Sequence, residues 1–159
     1  MSAIFLADKA PKLTVFIAYD TALLTDRFLI DNEAIMSIRH SDVSALLNGL
    51  NKKAIGFNDV LNFIDDFYRY TPVKFSNGDL VNAVGQNEGS AKVFGFAKHH
   101  GLNQLDTLKL FAEHYDAVVA APKGTDHPNI RNFIHWGWQG FLMEHNPLTA
   151  RPSVDVKNI

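Results

Sequence analysis

With 159 residues, 47% hydrophobic and 20% charged, the chain has the composition of one globular domain, long enough to bury a full core. A net charge of −2 with no clustered basic excess excludes a nucleic-acid footprint. The absence of cysteine excludes disulfides, thiol nucleophiles and cysteine-held zinc, and fits a reducing cytoplasm.

The longest apolar run near the start, Val15–Tyr19, is far short of the ~20 residues a membrane span needs. Asp8 and the lack of a basic segment before an apolar stretch argue against a Sec signal peptide. A type III secretion signal has no sharp residue pattern and stays open. Leu13–Tyr19 reads as either strand or helix, and residues 1–43 are expected to be an N-terminal extension.

From Asp31 onward helical spacing dominates. Ile35, Ile38, Val43, Leu46, Leu47 and Leu50 recur every three to four residues, with Asp31 as N-cap and a restart at Ser41-Asp42. Asn58 is placed to cap a second helix whose apolar face is Val60, Leu61, Ile64, Phe67 and Tyr68. Thr71-Pro72 ends it, because a residue before proline leaves the α region. Asn77-Gly78 signals a tight turn, which could join strands or loops.

Residues 88–100 read as a helix closed by Gly101, with Gly89 and Gly95 suggesting close helix–helix contact. A continuous helix over about 103–119 carries the stripe Leu105, Leu108, Phe111, Ala112, Tyr115, Val118 and Val119. His114 falls opposite that stripe, on the solvated face. The last helix is expected to begin near Asp126, with Pro128 in its first turn and Ile130, Phe133, Ile134, Gly137, Phe141 and Leu142 facing the core. The resulting fold is mainly α. It is a compact bundle of about five helices over residues 44–150, with a short hairpin or turn near residues 72–84 and a loose polar tail at 151–159.

The densest chemistry lies in Gly124–Trp138. His127, Arg131 and His135 advance by four residues along the flank of the apolar face. Arg131 can grip a carboxylate or phosphate through two parallel bonds, and His127, at a helix start, can act as a general base or orient an anion. The plainer alternative has Asp126 as a cap and Arg131 paired with a surface acid. Asn129, Asn132, Trp136 and Gln139 occupy the opposite face, where Trp136 could serve as a contact surface or be covered by the extension.

A second polar cluster, Asn82, Gln86, Asn87, Ser90 and Lys92, has the make-up of a recognition loop but lacks the Gly-Lys-Ser/Thr of a phosphate loop. The ligand-binding set is therefore Gln86, Asn87, Ser90, Lys92, His127, Asn129, Arg131 and Asn132, with His127 as the candidate catalytic residue. No metal site is expected: His99 and His100 are adjacent and diverge by about 100° on a helix, and no His-Glu-x-x-His occurs. No cofactor motif and no Gly-x-Ser-x-Gly turn appears either.

Three segments together, Phe67–Leu80 (FYRYTPVKFSNGDL), Gly85–Ala97 (GQNEGSAKVFGFA) and Gly124–Phe133 (GTDHPNIRNF), resemble the HopJ type III effector family, as does the closing Gly137-Trp138. The resemblance spans about residues 44–148. Ala91 and Pro128 stand where many members have cysteine and glutamine, which removes a thiol role at 91. The resemblance implies delivery into a host cell and hence a host-protein partner; it implies no reaction. Two expectations stand side by side: a cytoplasmic domain binding a small polar or anionic molecule between the 86–92 loop and the 126–132 helix start, or a secreted effector acting through a surface patch without catalysis.

Overall fold

Helix α1 covers 42–51 at the start of the residues that the computed structural model describes, 42–151. Its apolar spacing buries Val43, Leu46 and Leu50. Helix α2, Phe57–Phe67, comes after a short connection. Its cap is not Asn58: Gly56 is the N-cap, and two carboxylates take up the free N–H groups. Asp59 Oδ2 accepts from Gly56 N at 2.8 Å, and Glu113 Oε2 accepts from Phe57 N at 2.8 Å. Val60 and Ile64 put one face of α2 fully inside.

The fold is mixed α and β rather than the expected mainly α bundle. Among the described residues six helices are joined by five short strands in two antiparallel sheets. Strand β1, Tyr68–Tyr70, continues directly from α2 and pairs with β5, Leu148–Ala150, with Tyr68 opposite Ala150. Strands β2, Phe75–Asn77, and β3, Leu80–Asn82, form a hairpin, and β2 also pairs with β4, Phe141–Met143, giving the order β3-β2-β4. Each strand has three residues, too few for an alternating pattern to show in the sequence. Gly78 sits in the hairpin turn at φ +60, and a Cβ there would run into Trp136.

Helix α3, Glu88–His99, is the central element, burying Ala91, Val93, Phe94, Phe96 and Ala97. It ends as its sequence predicts, with Leu102 N bonding Ala97 O and Gly101 N bonding Lys98 O in a Schellman closure. Gly89 meets Phe57 of α2, a true helix–helix approach, whereas Gly95 backs onto Pro147 in the loop before β5.

The expected single helix over 103–119 is two. Helix α4, Gln104–Lys109, capped by Asn103, and helix α5, Glu113–Ala120, are separated by a break at Ala112, whose φ of 48 and ψ of −122 no helix can carry. The break lets Leu110 and Phe111 both turn inward while Leu105 stays 54% exposed. Helix α6, Pro128–Trp136, passes into a 3-10 turn, Gly137–Gly140, and then β4. Gly137 at φ +56 stops α6, so Phe141 and Leu142 continue as strand rather than helix, and Leu142 points outward.

The core is aromatic. Phe94 lies between Phe141 at 4.6 Å, Phe133 at 4.8 Å and Phe111 at 5.3 Å. Residues 1–41 of the expected N-terminal extension and all of the expected tail after Arg151 lie outside the described residues; Val43, expected in the extension, is part of the core, and Arg151 is anchored, its Nε donating to Asp65 O at 2.8 Å.

Candidate functional site

Helices α3 and α6 begin side by side, and both begin in the same unusual way. Their N-cap residues, Asn87 (φ 50, ψ 45) and His127 (φ 50, ψ 52), are non-glycine residues in the left-handed conformation, and neither side chain caps its own helix. Asparagine and histidine are enriched among the few non-glycine residues that adopt it. Between the two starts lies a cleft of about 230 Å³, lined by Asn87, Gly89 and Ser90 of α3 and by His127, Pro128, Asn129 and Ile130 of α6. Phe57, Phe111 and His114 complete the wall.

His114 and His127 face each other with ring centroids 4.8 Å apart, and Phe57 meets His114 edge-on, also at 4.8 Å. The sequence pattern put His114 on a solvated face. The break at Ala112 resets the phase of α5 and turns it into the cleft; no periodicity argument could have found it. Pro128 opens α6 at N1, so Asp126 lies outside the helix and does not cap it.

Asn129 is 4% exposed and forms the floor. It exchanges two amide bonds with Asn82: its Nδ2 donates to Asn82 Oδ1 at 3.0 Å, and its Oδ1 accepts from Asn82 Nδ2 at 3.1 Å. Asn77 Nδ2 donates to the Asn129 carbonyl at 2.6 Å, and Asn87 Nδ2 donates to Asn82 Oδ1 at 2.6 Å. This amide chain ties the β2–β3 hairpin to both helix starts.

Four of the eight expected ligand-binding residues therefore converge: Asn87, Ser90, His127 and Asn129. The other four lie elsewhere. Gln86 closes a turn, its Oε1 accepting from Ala83 N at 2.9 Å. Lys92 binds Asp65 at 2.7 Å and lies over the Tyr70 ring at 5.4 Å; burial, and then the Glu88 charge, push the Tyr70 hydroxyl above its ordinary value. Asn132 Nδ2 donates to Asn77 O at 2.7 Å and Asp79 Oδ1 at 2.8 Å, holding the hairpin. Arg131 donates from Nε to Asp126 O at 2.7 Å and from a terminal nitrogen to Asp126 Oδ1 at 2.5 Å, the plainer of the two roles the sequence offered.

That contact fixes the loop before α6, and the Arg131 side-chain hydrogen bond, reinforced by its charge, holds the Asp126 carboxyl below the usual carboxylate range. A depressed carboxyl adds stability above its unfolded value, roughly 3.9, and loses it as pH falls through the lower folded value. Asp126→Asn is accordingly expected to lower the melting temperature by a few degrees at neutral pH and to differ little from the parent in strong acid. Thermal melts across that range measure it, and an equal deficit at every pH would refute the pairing.

A larger groove of about 570 Å³ lies between the α1–α2 connection and α4–α5. Its charged rim is already engaged, Lys53 with Asp116 at 2.5 Å and Lys109 with Asp106 at 3.0 Å, and it holds none of the expected site residues. Among the described residues no three His, Asp or Glu side chains are grouped to hold a metal, and no helix is long and apolar enough to cross a membrane.

The model of the HopJ type III effector protein family matches residues 43–148, a span that contains the hairpin, both helix starts and the cleft between them. The chain belongs to the HopJ type III effector family. A solved crystal structure of a protein of unknown function, VPA0580, is similar at 36% identity and a TM-score of 0.63, covering 68% of this chain and 92% of that one. No curated protein matches.

The HopJ segments read from the sequence supply the first hairpin strand with Asn77, the start of α3 and the start of α6, whereas Asn82, Phe57, Phe111 and His114 lie outside them. The closing Gly137-Trp138 is structural. Trp138 Nε1 donates to Leu102 O at 2.9 Å, and Gln104 Nε2 donates to the carbonyls of Phe133 and Ile134 at 2.9 Å, ending α6 beside Gly137. Membership of this family is consistent with secretion into a host cell by a type III system.

Proposed function

We propose that this HopJ domain binds a small polar or anionic molecule in the cleft between the starts of α3 and α6, with His127 and His114 as the groups able to exchange a proton with it. The supporting observation is the convergence of two strained N-caps, Asn87 and His127, on one concave space. Left-handed non-glycine residues cost free energy and cluster where function needs them. Backbone N–H groups at the two helix starts add a partial positive field. The volume suits a ligand of a few heavy atoms, and the mix of apolar wall and few polar groups is that of a small-molecule site.

Ser90 lines the cleft without bracing the amide chain. Ser90→Leu is expected to fill the space, remove binding of small polar fragments and leave the melting temperature near that of the parent. Amide-shift mapping of a fragment library checks it. Shifts confined to residues 87–90, 114 and 127–130 in the parent, and absent in the variant, support the site. Shifts gathered at 53–56 and 113–116 would place binding in the other groove and sink this reading.

A second reading has one observation in its favour. Val81 and Leu142 flank Ser76 on the outer row of the three-stranded sheet and are 59% and 69% exposed, with Trp136 half exposed over the hairpin turn. A host protein could dock on this face if the chain is delivered as an effector. Fusion of the whole chain to a translocation reporter tests delivery; a reporter that never enters host cells removes the reading.

A further inference from the structure

Resting on the cleft reading above, we infer that the ligand class is a small oxyanion, a carboxylate-, sulfate- or phosphate-bearing molecule, and that the cleft takes it up together with a proton. No lysine, arginine, aspartate or glutamate lines the cleft, and His114 and His127 are the titratable groups in its lining. Of the charged groups on the surrounding elements, Asp59 and Glu113 hold the N–H groups that open α2 and Asp126 is bound by Arg131, while Glu88 stands exposed to solvent at the start of α3. Asp126 Oδ2 comes within 3.6 Å of His127 Nε2 but carries its countercharge in that arginine.

An anion entering a partly desolvated site with no fixed cation lacks a partner unless one is generated there. A proton on either imidazole generates it and turns that ring into a donor at both nitrogens. With the rings 4.8 Å apart, two charges would repel, so the pair takes one proton per ligand. A neutral ligand of the same shape gains nothing from that proton. The cleft therefore selects charge and couples occupancy to pH.

The probes are sulfate and acetate, both ionised between about pH 5.5 and 8, with acetamide as the uncharged counterpart of acetate. Binding is measured by titration calorimetry on the full chain in buffers of different ionisation enthalpy, which counts the protons taken up. The expected result is uptake of close to one proton per sulfate wherever both rings are neutral in the free protein, with affinity falling on the order of tenfold per pH unit there. Acetamide should bind weakly and without pH dependence.

His114→Gln together with His127→Asn should abolish the pH dependence; asparagine suits the left-handed position at 127. Imidazole titrations of the parent followed by NMR give a readout that needs no variant to fold: sulfate should move the midpoint of one or both rings upward. Binding of sulfate and acetate with no proton uptake and no moved midpoint overturns this inference and leaves the cleft reading standing. Acetamide binding as tightly as acetate overturns the oxyanion class alone. No binding of any probe at any pH overturns both.

Discussion

Phe94→Ala is expected to lower the unfolding free energy by about 3–5 kcal/mol, the range for truncating a buried phenylalanine. Phe94 is fully buried and sits where helix, sheet and 3-10 turn meet. Its ring contacts Phe111 after α4, Phe133 of α6 and Phe141 of β4, and it approaches Phe75 of β2 at 6.1 Å and Trp138 at 6.3 Å. These neighbours are anchored in different elements, so none can move into the space without disturbing its own packing. The cavity therefore stays open, and the cost lies well above that of transferring the lost atoms alone. Phe94→Leu should recover more than half of the loss by refilling most of the volume. Denaturant unfolding measures both, and a Phe94→Ala loss below about 1.5 kcal/mol would mean that the core collapses around the gap.

The second large effect is expected at Asn129. Asn129→Ala removes both amide bonds to Asn82 inside the fold and leaves a buried carboxamide short of partners, which costs about 1–3 kcal/mol, with the network raising the figure toward its upper end. Asn129→Asp separates the two bonds. The aspartate keeps the acceptor for Asn82 Nδ2 but sets a second acceptor against Asn82 Oδ1. Ionised, it is buried and mispaired, so its folded pKa must lie above the unfolded value. The penalty then grows as pH rises through the unfolded carboxylate range and shrinks as pH falls toward about 4, where the protonated oxygen can donate to Asn82. Unfolding curves at neutral and mildly acid pH distinguish the outcomes. A variant equally unstable at both would show that bulk, rather than the donor, is what Asn129 supplies.

Elements with a long periodic signal were legible in the sequence. The apolar spacing of α2 left its mark over several residues, and Gly101 and Pro128 are residues whose own backbone preference marks a helix end and a helix start. Elements set by a residue without such a preference, or by partners far along the chain, were not. Three-residue strands carry no period, and β1 and β5 become strands because they find each other across most of the domain. Ala112 offers no hint in its side chain that its backbone will break a helix.

The candidate cleft was half legible for the same reason. Asn87, Ser90, His127 and Asn129 belong to two dense polar segments that could be seen to belong together. Gln86, Lys92, Arg131 and Asn132 share those segments and the same chemistry, but their nearest partners are a turn amide, an aspartate on α2, the loop before α6 and the hairpin. Polar density marks a region; it does not separate residues that line a cleft from residues that hold the scaffold. His114 and Phe57 were invisible because each joins the cleft from an element whose rotation only the tertiary structure sets.

The two sheets share one further property. Each is completed by a strand from the last part of the domain, and the final tie, Arg151 Nε to the Tyr68 carbonyl at 3.2 Å, spans a sequence separation of 83. Contacts this remote close late and slow the search for the native state. A chain emerging from the ribosome can form α1 to α3 but cannot complete either sheet until β4 and β5 have been made. The domain should therefore remain open to proteases and chaperones through most of its synthesis, until the C-terminal strands arrive to close both sheets.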